Sequence, residues 1–358
     1  MKTNLKIDFW LLAPVLVLLS IGLSTLASIN MVYFRNQIFS LVVACIIFLS
    51  LIQIDYNIFK SLKIPLYFSS LALLFVVFLI GIETRGAARW IELFGIRIQF
   101  SEICKPLLSL ALASQISSDK NPKFKTFILT SILLAPVILF IYLQPDLGNA
   151  LIFSGVFFVA LIILGFPMKW FFTVFLLPFL LISPLLWGAL HEYQRQRILT
   201  FIHPHKDPLG TSYNTIQALI AVGSGMLFGK GLGENTQSLL KFLPERHTDF
   251  IFATISEGMG FIGGLVVILT FAYLMYRVYS IFKNSGNLFE KTVLTCCFLF
   301  FFVQFFLNIG MNIGLLPIAG VTLPFVSYGG SSLVANFIFL AIVSSISTSQ
   351  ERQALEIR

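Results

Sequence analysis

The chain has 358 residues, of which 57% are hydrophobic and only 11% charged, with a formal net charge of +8 and a mean hydropathy of +0.91. An ordinary soluble domain carries about 25% charged residues, so this composition cannot cover a water-facing globule, and the solvent for most of the chain is lipid. The basic balance does not point to nucleic acid, because Lys and Arg retained in the cytoplasmic loops of a membrane protein give the same excess.

At the N-terminus, Lys2 and Lys6 precede an uncharged run from Phe9 to Phe34. The charge order resembles a signal peptide, but the run is too long and lacks an obvious cleavage site, so it reads as a retained first span. Stretches without Asp, Glu, Lys or Arg follow at 36–54, 64–82, 126–145, 147–168, 170–191 and 258–276, each near the roughly 20 residues that cross a hydrocarbon core. Segment 101–117 adds a span that begins with Glu102 and Lys105. The last uncharged stretch, Thr292 to Gln350, is too long for one crossing and is interrupted by Pro317, Gly320, Pro324, Gly329 and Gly330. It holds two spans and a non-helical connection. The expectation is an all-α polytopic membrane protein with ten transmembrane helices, one domain over 1–358.

With both termini on one side, the N-terminus, 55–63, 115–125, 166–169, 277–291 and the C-terminus form that side and hold more than half of the 24 Lys and Arg. The positive-inside rule makes it cytoplasmic. The large hydrophilic insertion, 191–249 between spans seven and eight, then faces outward and contains all 4 histidines. An outward loop rich in polar groups is where chemistry would concentrate. Cys45, Cys104, Cys296 and Cys297 lie in or beside apolar stretches, without CxxC spacing or nearby histidines, and imply neither a disulfide framework nor a zinc site.

Three patches break the apolar pattern. The first runs from Thr84 to Trp90 and on through Gln99 to Lys105. Glu102 and Lys105 share a helix face and can pair at the membrane boundary, with Trp90 as an interfacial anchor; alternatively Arg89 and Lys105 form a cationic site for a lipid-borne phosphate. The second is Gln144-Pro145-Asp146-Leu147-Gly148, a tight turn with Asp146 capping the next helix, or the lining of a cavity. The third, Leu243 to Phe252, leads into a span carrying Glu257. Thr248 or Asp249 can serve as an N-cap, whereas Asp249 beside Glu245, Arg246 and His247 is also placed to accept a proton from a sugar hydroxyl. Replacement of Asp249 by Asn separates the two, since Asn keeps a cap and loses a base. No nucleotide-binding loop, zinc motif or Gly-x-Ser-x-Gly elbow is present, and the Gly223–Gly225 and Gly229–Gly233 clusters lack the Walker spacing.

Eight segments in order, Gly86-Ala-Ala-Arg-Trp90, Ser101-Glu-Ile-Cys-Lys105, Gln144-Pro-Asp-Leu-Gly148, Tyr193-Gln-Arg-Gln-Arg-Ile198, Asp207-Pro-Leu-Gly210, Gly229-Lys-Gly-Leu-Gly233, Leu243 to Phe252, and Leu323 to Ser332, resemble the SEDS (shape, elongation, division, sporulation) membrane proteins, the family of RodA and FtsW. The fourth and seventh segments resemble the elongation branch more than the division branch. Two departures stand out: Phe100 replaces the family's usual Pro, and Glu257-Gly-Met-Gly260 has one carboxylate where the family usually has two.

The resemblance implies a ten-helix polymerase in the bacterial inner membrane. It would join lipid II units, donor and acceptor, into glycan strands on the outer face during elongation, with a class B penicillin-binding protein transpeptidase and the elongation machinery as partners. The family's essential acidic residue falls on Asp249, and its functional Arg and Lys on Arg89 and Lys105. The resemblance and the residues together make Asp249 the general base on the acceptor 4-hydroxyl. Undecaprenyl pyrophosphate then leaves, stabilised by Arg89, Lys105 or a divalent cation such as Mg or Mn, with no nucleotide. The remaining candidates for substrate binding are Glu102, Asp146, Arg195, Arg197, Lys230, Glu245, His247, Glu257, Ser327, Tyr328 and Ser331. The alternatives are a flippase for the same lipid, which would more often show repeated halves with matching broken helices, and a non-catalytic scaffold, which leaves the polar loop unexplained.

Overall fold

A computed structural model describes residues 7–84, 87–93, 96–118, 124–176, 188, 195, 212–233 and 242–356. In chain order the helices are α1 (Phe9–Ile29), α2 (Met31–Ile52), α3 (Ile58–Ser61), α4 (Lys63–Ile80), α5 (Phe100–Ser117), α6 (Phe124–Leu143), α7 (Leu147–Ile163), α8 (Met168–Phe171), α9 (Tyr213–Ser224), α10 (Ile251–Asn284), α11 (Leu288–Asn312) and α12 (Gly330–Glu356). Among the described residues seven helices are long and apolar enough to cross a membrane: α1, α2, α4, α6, α10, α11 and α12 through Arg352. Of these α12 and α11 are the most enclosed, and α4 and α2 the least. The non-helical connection at 313–329 therefore joins the two most enclosed of these helices.

The expected fourth and sixth spans are helical, but α5, 18 residues long, carries Glu102 and Lys105 and is less apolar than the seven, and α7 is shorter, at 17 residues. α5 is buried along most of its length, including Glu102 and Lys105. α7 ends at Ile163, not 168, because Gly165 adopts φ 91 and closes a Schellman cap: its N–H donates to Ile162 O at 3.0 Å, and that of Phe166 to Leu161 O at 3.1 Å. Pro167, with no N–H to give, then starts the next helix as the N-cap of α8. The expected seventh span begins with α8 and a π-helical turn, Phe172–Leu176, and the rest of it lies outside the described residues, as does most of the 191–249 insertion. Within that insertion α9 is helical where the composition suggested only loop, and it packs on α10 and α11.

The all-α expectation requires correction at 82–98. Strands β1 (Ile82–Thr84), β2 (Ala87–Leu93) and β3 (Ile96–Ile98) form an antiparallel sheet in that order. Ile91 pairs with Ile98, Leu93 with Ile96 and Glu92 with Arg97, the last as an ion pair at 3.8 Å. Apolar and charged residues thus alternate with the period of a strand, not of a helix.

The expected eighth span, 258–276, is longer than the charge-free run: α10 starts at Ile251 and is broken at Gly260 (φ 68, ψ -165). A break removes the helical bonds that residues 261 and 262 would give to 257 and 258, and these groups need other partners in a lipid-facing element. Segment 226–231 supplies them. Phe261 N donates to Met226 O at 2.8 Å and Ile262 N to Leu227 O at 3.2 Å, while Lys230 N and Gly231 N donate to Glu257 O and Gly258 O, each at 3.0 Å. Glycine is required on both sides, for a Cβ on Gly260 would lie 2.3 Å from Gly229 N and one on Gly229 2.2 Å from Gly258 O.

At the end of the bundle where α1 begins and α12 finishes, two polar clusters tie helices together. Asp8 caps α1 through Leu11 N at 3.1 Å and accepts from Arg277 Nη2 at 2.6 Å, Arg277 Nε at 3.1 Å and Ser347 Oγ at 2.6 Å. Glu290 accepts from Tyr56 Oη at 2.7 Å and Gln350 Nε2 at 3.2 Å. All four cysteines are free; Cys104, Cys296 and Cys297 are buried and Cys45 is partly exposed.

Candidate functional site

The polar side chains gather around segment 313–329. This segment runs close to several helices at once. A Cβ on Gly22 of α1 would lie 2.5 Å from Val326 O, and one on Gly148 of α7 2.9 Å from Ala319 O. Gln37 of α2 holds its far end, donating from Nε2 to Ser327 O at 3.2 Å and accepting from Gly329 N at 3.1 Å.

Residues 245–250 form one wall. Glu245 sits at φ 52, an uncommon conformation for a non-glycine residue, and its carbonyl accepts from Thr248 N at 3.1 Å and Phe250 N at 3.2 Å. Its carboxylate accepts from Thr248 Oγ1 at 2.9 Å. Glu245 thereby builds the turn that presents Asp249. Neither Thr248 nor Asp249 takes the N-cap position of α10, which falls on Phe250 with no side-chain capping bond of its own. Asp249 is half-buried, and its Oδ2 would stand 3.7 Å from a Cβ placed on Gly320, itself at φ 65.

His247, Ser327 and Tyr328 join this wall to the connection. Tyr328 N donates to His247 O at 2.9 Å, and Ser327 Oγ donates to Thr248 O at 2.7 Å while accepting from Leu323 N at 2.8 Å. The His247 imidazole stacks on Tyr33 with centroids 4.2 Å apart, and Tyr328 lies tilted at 5.5 Å. Burial pushes the Arg246 guanidinium below its usual value, with Tyr33 opposing the shift.

The second cluster borders the other side of the connection through Gly148. Asp146 caps α7, accepting from Asn149 N at 3.3 Å, and also meets Arg89 Nη1 at 3.3 Å, Gln99 Nε2 at 3.2 Å and Asn149 Nδ2 at 2.9 Å. The turn and cavity readings of Asp146 are thus compatible. Ser331 Oγ accepts from Gln99 N at 2.9 Å, linking α12 to this cluster. Arg89 and Lys105 pair with different carboxylates. Arg89 is partly exposed beside Asp146, whereas Lys105 is buried against Glu102 at 2.5 Å, with Gln304 Nε2 3.5 Å from the same carboxylate.

Lys230 and Glu257 form a third group at the break in α10, 3.6 Å apart. Arg195 donates to Gly188 O at 2.7 Å, and Arg197 lies outside the described residues. Among the described residues no three His, Cys, Asp or Glu side chains are grouped to hold a metal ion, so the described side chains do not build a protein cage for a cation. The sequence reading missed Tyr33, Gln37, Asn308 and Asn312, and named Gln99 only within the first patch and Gly320 only as a helix break. The signal for the two asparagines was a four-residue repeat of amides inside an otherwise apolar span.

The model of the FtsW/RodA/SpoVE family, described as cell cycle protein, matches residues 3–352. The peptidoglycan glycosyltransferase MrdB of Escherichia coli (strain K12) is 37% identical over 321 residues, 88% of this chain and 86% of MrdB. The probable peptidoglycan glycosyltransferase FtsW of Legionella pneumophila subsp. pneumophila is 32% identical over 371 residues, 98% of this chain and 93% of that protein. Among solved structures, a chain from work on structural coordination of polymerization and crosslinking by a peptidoglycan synthase complex superposes with a TM-score of 0.82 at 28% identity, covering 96% of this chain and 98% of that one. The rod shape determining protein RodA of Thermus thermophilus gives 0.74 at 26% identity, covering 98% and 99%. The motifs, the bundle around segment 313–329 and these similarities agree, and the chain belongs to the FtsW/RodA/SpoVE family of cell cycle proteins, the SEDS proteins.

Proposed function

We propose that this chain is a peptidoglycan glycosyltransferase that polymerises lipid II, with Asp249 as general base. The observation that carries the assignment of roles is the placement of Asp249 against Gly320, next to Ala319, which lies against Gly148 beside the Arg89–Asp146 pair. A carboxylate and a cation brought to one non-helical segment between apolar helices suit a reaction in which one sugar hydroxyl is deprotonated and a pyrophosphate departs.

In the reaction, the Asp249 carboxylate takes the proton of the acceptor N-acetylglucosamine 4-hydroxyl as that oxygen bonds to C1 of the donor N-acetylmuramic acid. The bond from C1 to the pyrophosphate oxygen breaks, and undecaprenyl pyrophosphate leaves with the electron pair. Arg89 is the cation open enough to meet that charge. Lys105, buried on Glu102, acts on the architecture of α5. The donor is already activated, so no nucleotide is consumed. A divalent cation such as Mg or Mn would supply further positive charge for the departing pyrophosphate. His247 with Tyr328, and Ser327 with Ser331, line the connection where the sugars lie.

The ten-span reading takes 170–191, a charge-free run of one crossing length, as the seventh span. Both termini face the cytoplasm and the site opens on the outer face of the bacterial inner membrane, since Lys and Arg favour the terminal side. A class B penicillin-binding protein is the partner that cross-links the product in the elongation machinery.

The test is glycan polymerisation from purified lipid II by the detergent-solubilised protein with its partner, comparing wild type with Asp249→Asn at equal folded amounts. Polymer from wild type and none from the variant supports the reading. Full activity in Asp249→Asn, or movement of lipid II across vesicles without polymer, overturns it.

A further inference from the structure

One face of α11 carries three amides, Gln304, Asn308 and Asn312, at four-residue spacing, so successive turns of a membrane-length helix present polar side chains in a row. All three are buried, the two asparagines completely. A buried amide costs stability unless its donors and acceptor are used, and polar groups inside membrane helices are functional candidates by default. Their partners therefore indicate their purpose.

Both asparagines converge on the backbone of Asp249. Asn308 Nδ2 and Asn312 Nδ2 each donate to Asp249 O at 3.0 Å, filling both lone pairs of that carbonyl. Asn308 Nδ2 also donates to Val321 O at 2.7 Å. One amide thus joins Asp249, two residues before α10, to the connection beside Gly320. Asn312 Oδ1 accepts from Ala253 N at 3.0 Å, one of the first-turn N–H groups of α10 that has no partner within its own helix. Asn312 does from another helix the capping that the sequence offered to Thr248 or Asp249.

We propose that Asn308 and Asn312 are positioning residues for Asp249. They fix its peptide against Gly320 and Val321, and Asn312 takes over the cap at Ala253 N. The proposal rests on the reading of Asp249 as general base. Neither asparagine touches the reacting atoms; each acts through the backbone of the residue that does.

The test measures kcat and KM for lipid II polymerisation, with the partner bound, for Asn308→Leu, Asn312→Leu, Asn312→Asp and Asp249→Asn. Misplacing a catalytic group by about 1 Å costs about 100-fold in rate, so kcat is expected to fall about 10- to 100-fold in the asparagine variants while KM moves less than about twofold. Asn312→Asp retains the acceptor for Ala253 N and loses the donors. Its carboxylate is buried against the carbonyls of Asp249 and Asn308 and should lower the melting temperature, so turnover is read per folded molecule below the transition of every variant, and it should still fall.

Wild-type kcat in Asn312→Asp, or losses confined to KM, with Asp249→Asn inactive, overturns the positioning role and leaves the base intact. An active Asp249→Asn removes the base reading itself, and the positioning proposal with it, whatever the asparagine variants do. Should the leucine variants fail to fold, Asn312→Asp decides.

Discussion

Lys230 stands 3.6 Å from Glu257, a carboxylate with no solvent exposure, and the pair bridges the segment that repairs the break in α10. Taking away one member of an enclosed pair leaves the other charge in an unfavourable medium. Lys230→Met is expected to lower stability by about 1–3 kcal/mol, discounted for the partial exposure of the lysine. Glu257→Gln should cost less, and the double variant less than the two single losses together. Thermal unfolding of the four proteins in detergent checks this; strictly additive losses would show that the two side chains are not coupled.

The glycines at the same break give a sharper contrast. Gly260→Ala forces a Cβ to 2.3 Å from Gly229 N at a positive φ, and Gly225→Ala forces one to 1.8 Å from Ser256 O. Both should abolish the folded fraction seen by size-exclusion chromatography. Gly223→Ala in α9 meets nothing within 4 Å and should be neutral or stabilising by about 0.5–1 kcal/mol.

Arg277 makes a forked contact to Asp8, which is itself the cap of α1. Arg277→Met is expected to cost about 2–4 kcal/mol by stranding that carboxylate. Arg277→Lys should recover part of the loss, since an ammonium restores charge but not the planar fork. Melting temperatures and limited proteolysis near the N-terminus report both effects.

Arg89 and Asp146 should separate binding from capping. Arg89→Leu removes the partly exposed cation and should raise KM for lipid II about tenfold or more. Asp146→Asn keeps an acceptor for Asn149 N, so α7 stays capped, and KM should move less than about threefold. Asp146→Ala removes the acceptor as well and should lose about 1 kcal/mol of stability. Steady-state kinetics alongside melting curves distinguish these outcomes; an unchanged KM in Arg89→Leu would place the pyrophosphate elsewhere.

The helices were legible because lipid imposes a simple rule on sequence: charge-free runs of one crossing length mark spans, and Pro317 to Gly330 marks the interruption between α11 and α12. The strands at 82–98 escaped because each is only three to seven residues long, too short for composition to register, although Ile96-Arg97-Ile98 has the strand alternation. The start of α10 was missed because Glu257 reads as a boundary in one dimension. Only the fold brings Lys230 beside it. Asp249 and Asp146 were legible as polar residues with no apolar reason to exist. The purposes of Asn308 and Asn312 were not, because their partners are backbone groups supplied by α10 and by the connection, and a sequence does not display which carbonyl an amide will reach.

α12 is fastened at both extremities. Ser331 in its first turn takes the N–H of Gln99, and toward its other end Ser344 accepts from the N–H of Asp8 at 2.9 Å while Ser347 donates to that aspartate's carboxylate. Ser331 and Ser347 are 16 positions apart, about 24 Å of helix at 1.5 Å per residue, in the most enclosed of the membrane-length helices among the described residues. Such a helix behaves as a strut: it cannot slide at one end without straining bonds at the other.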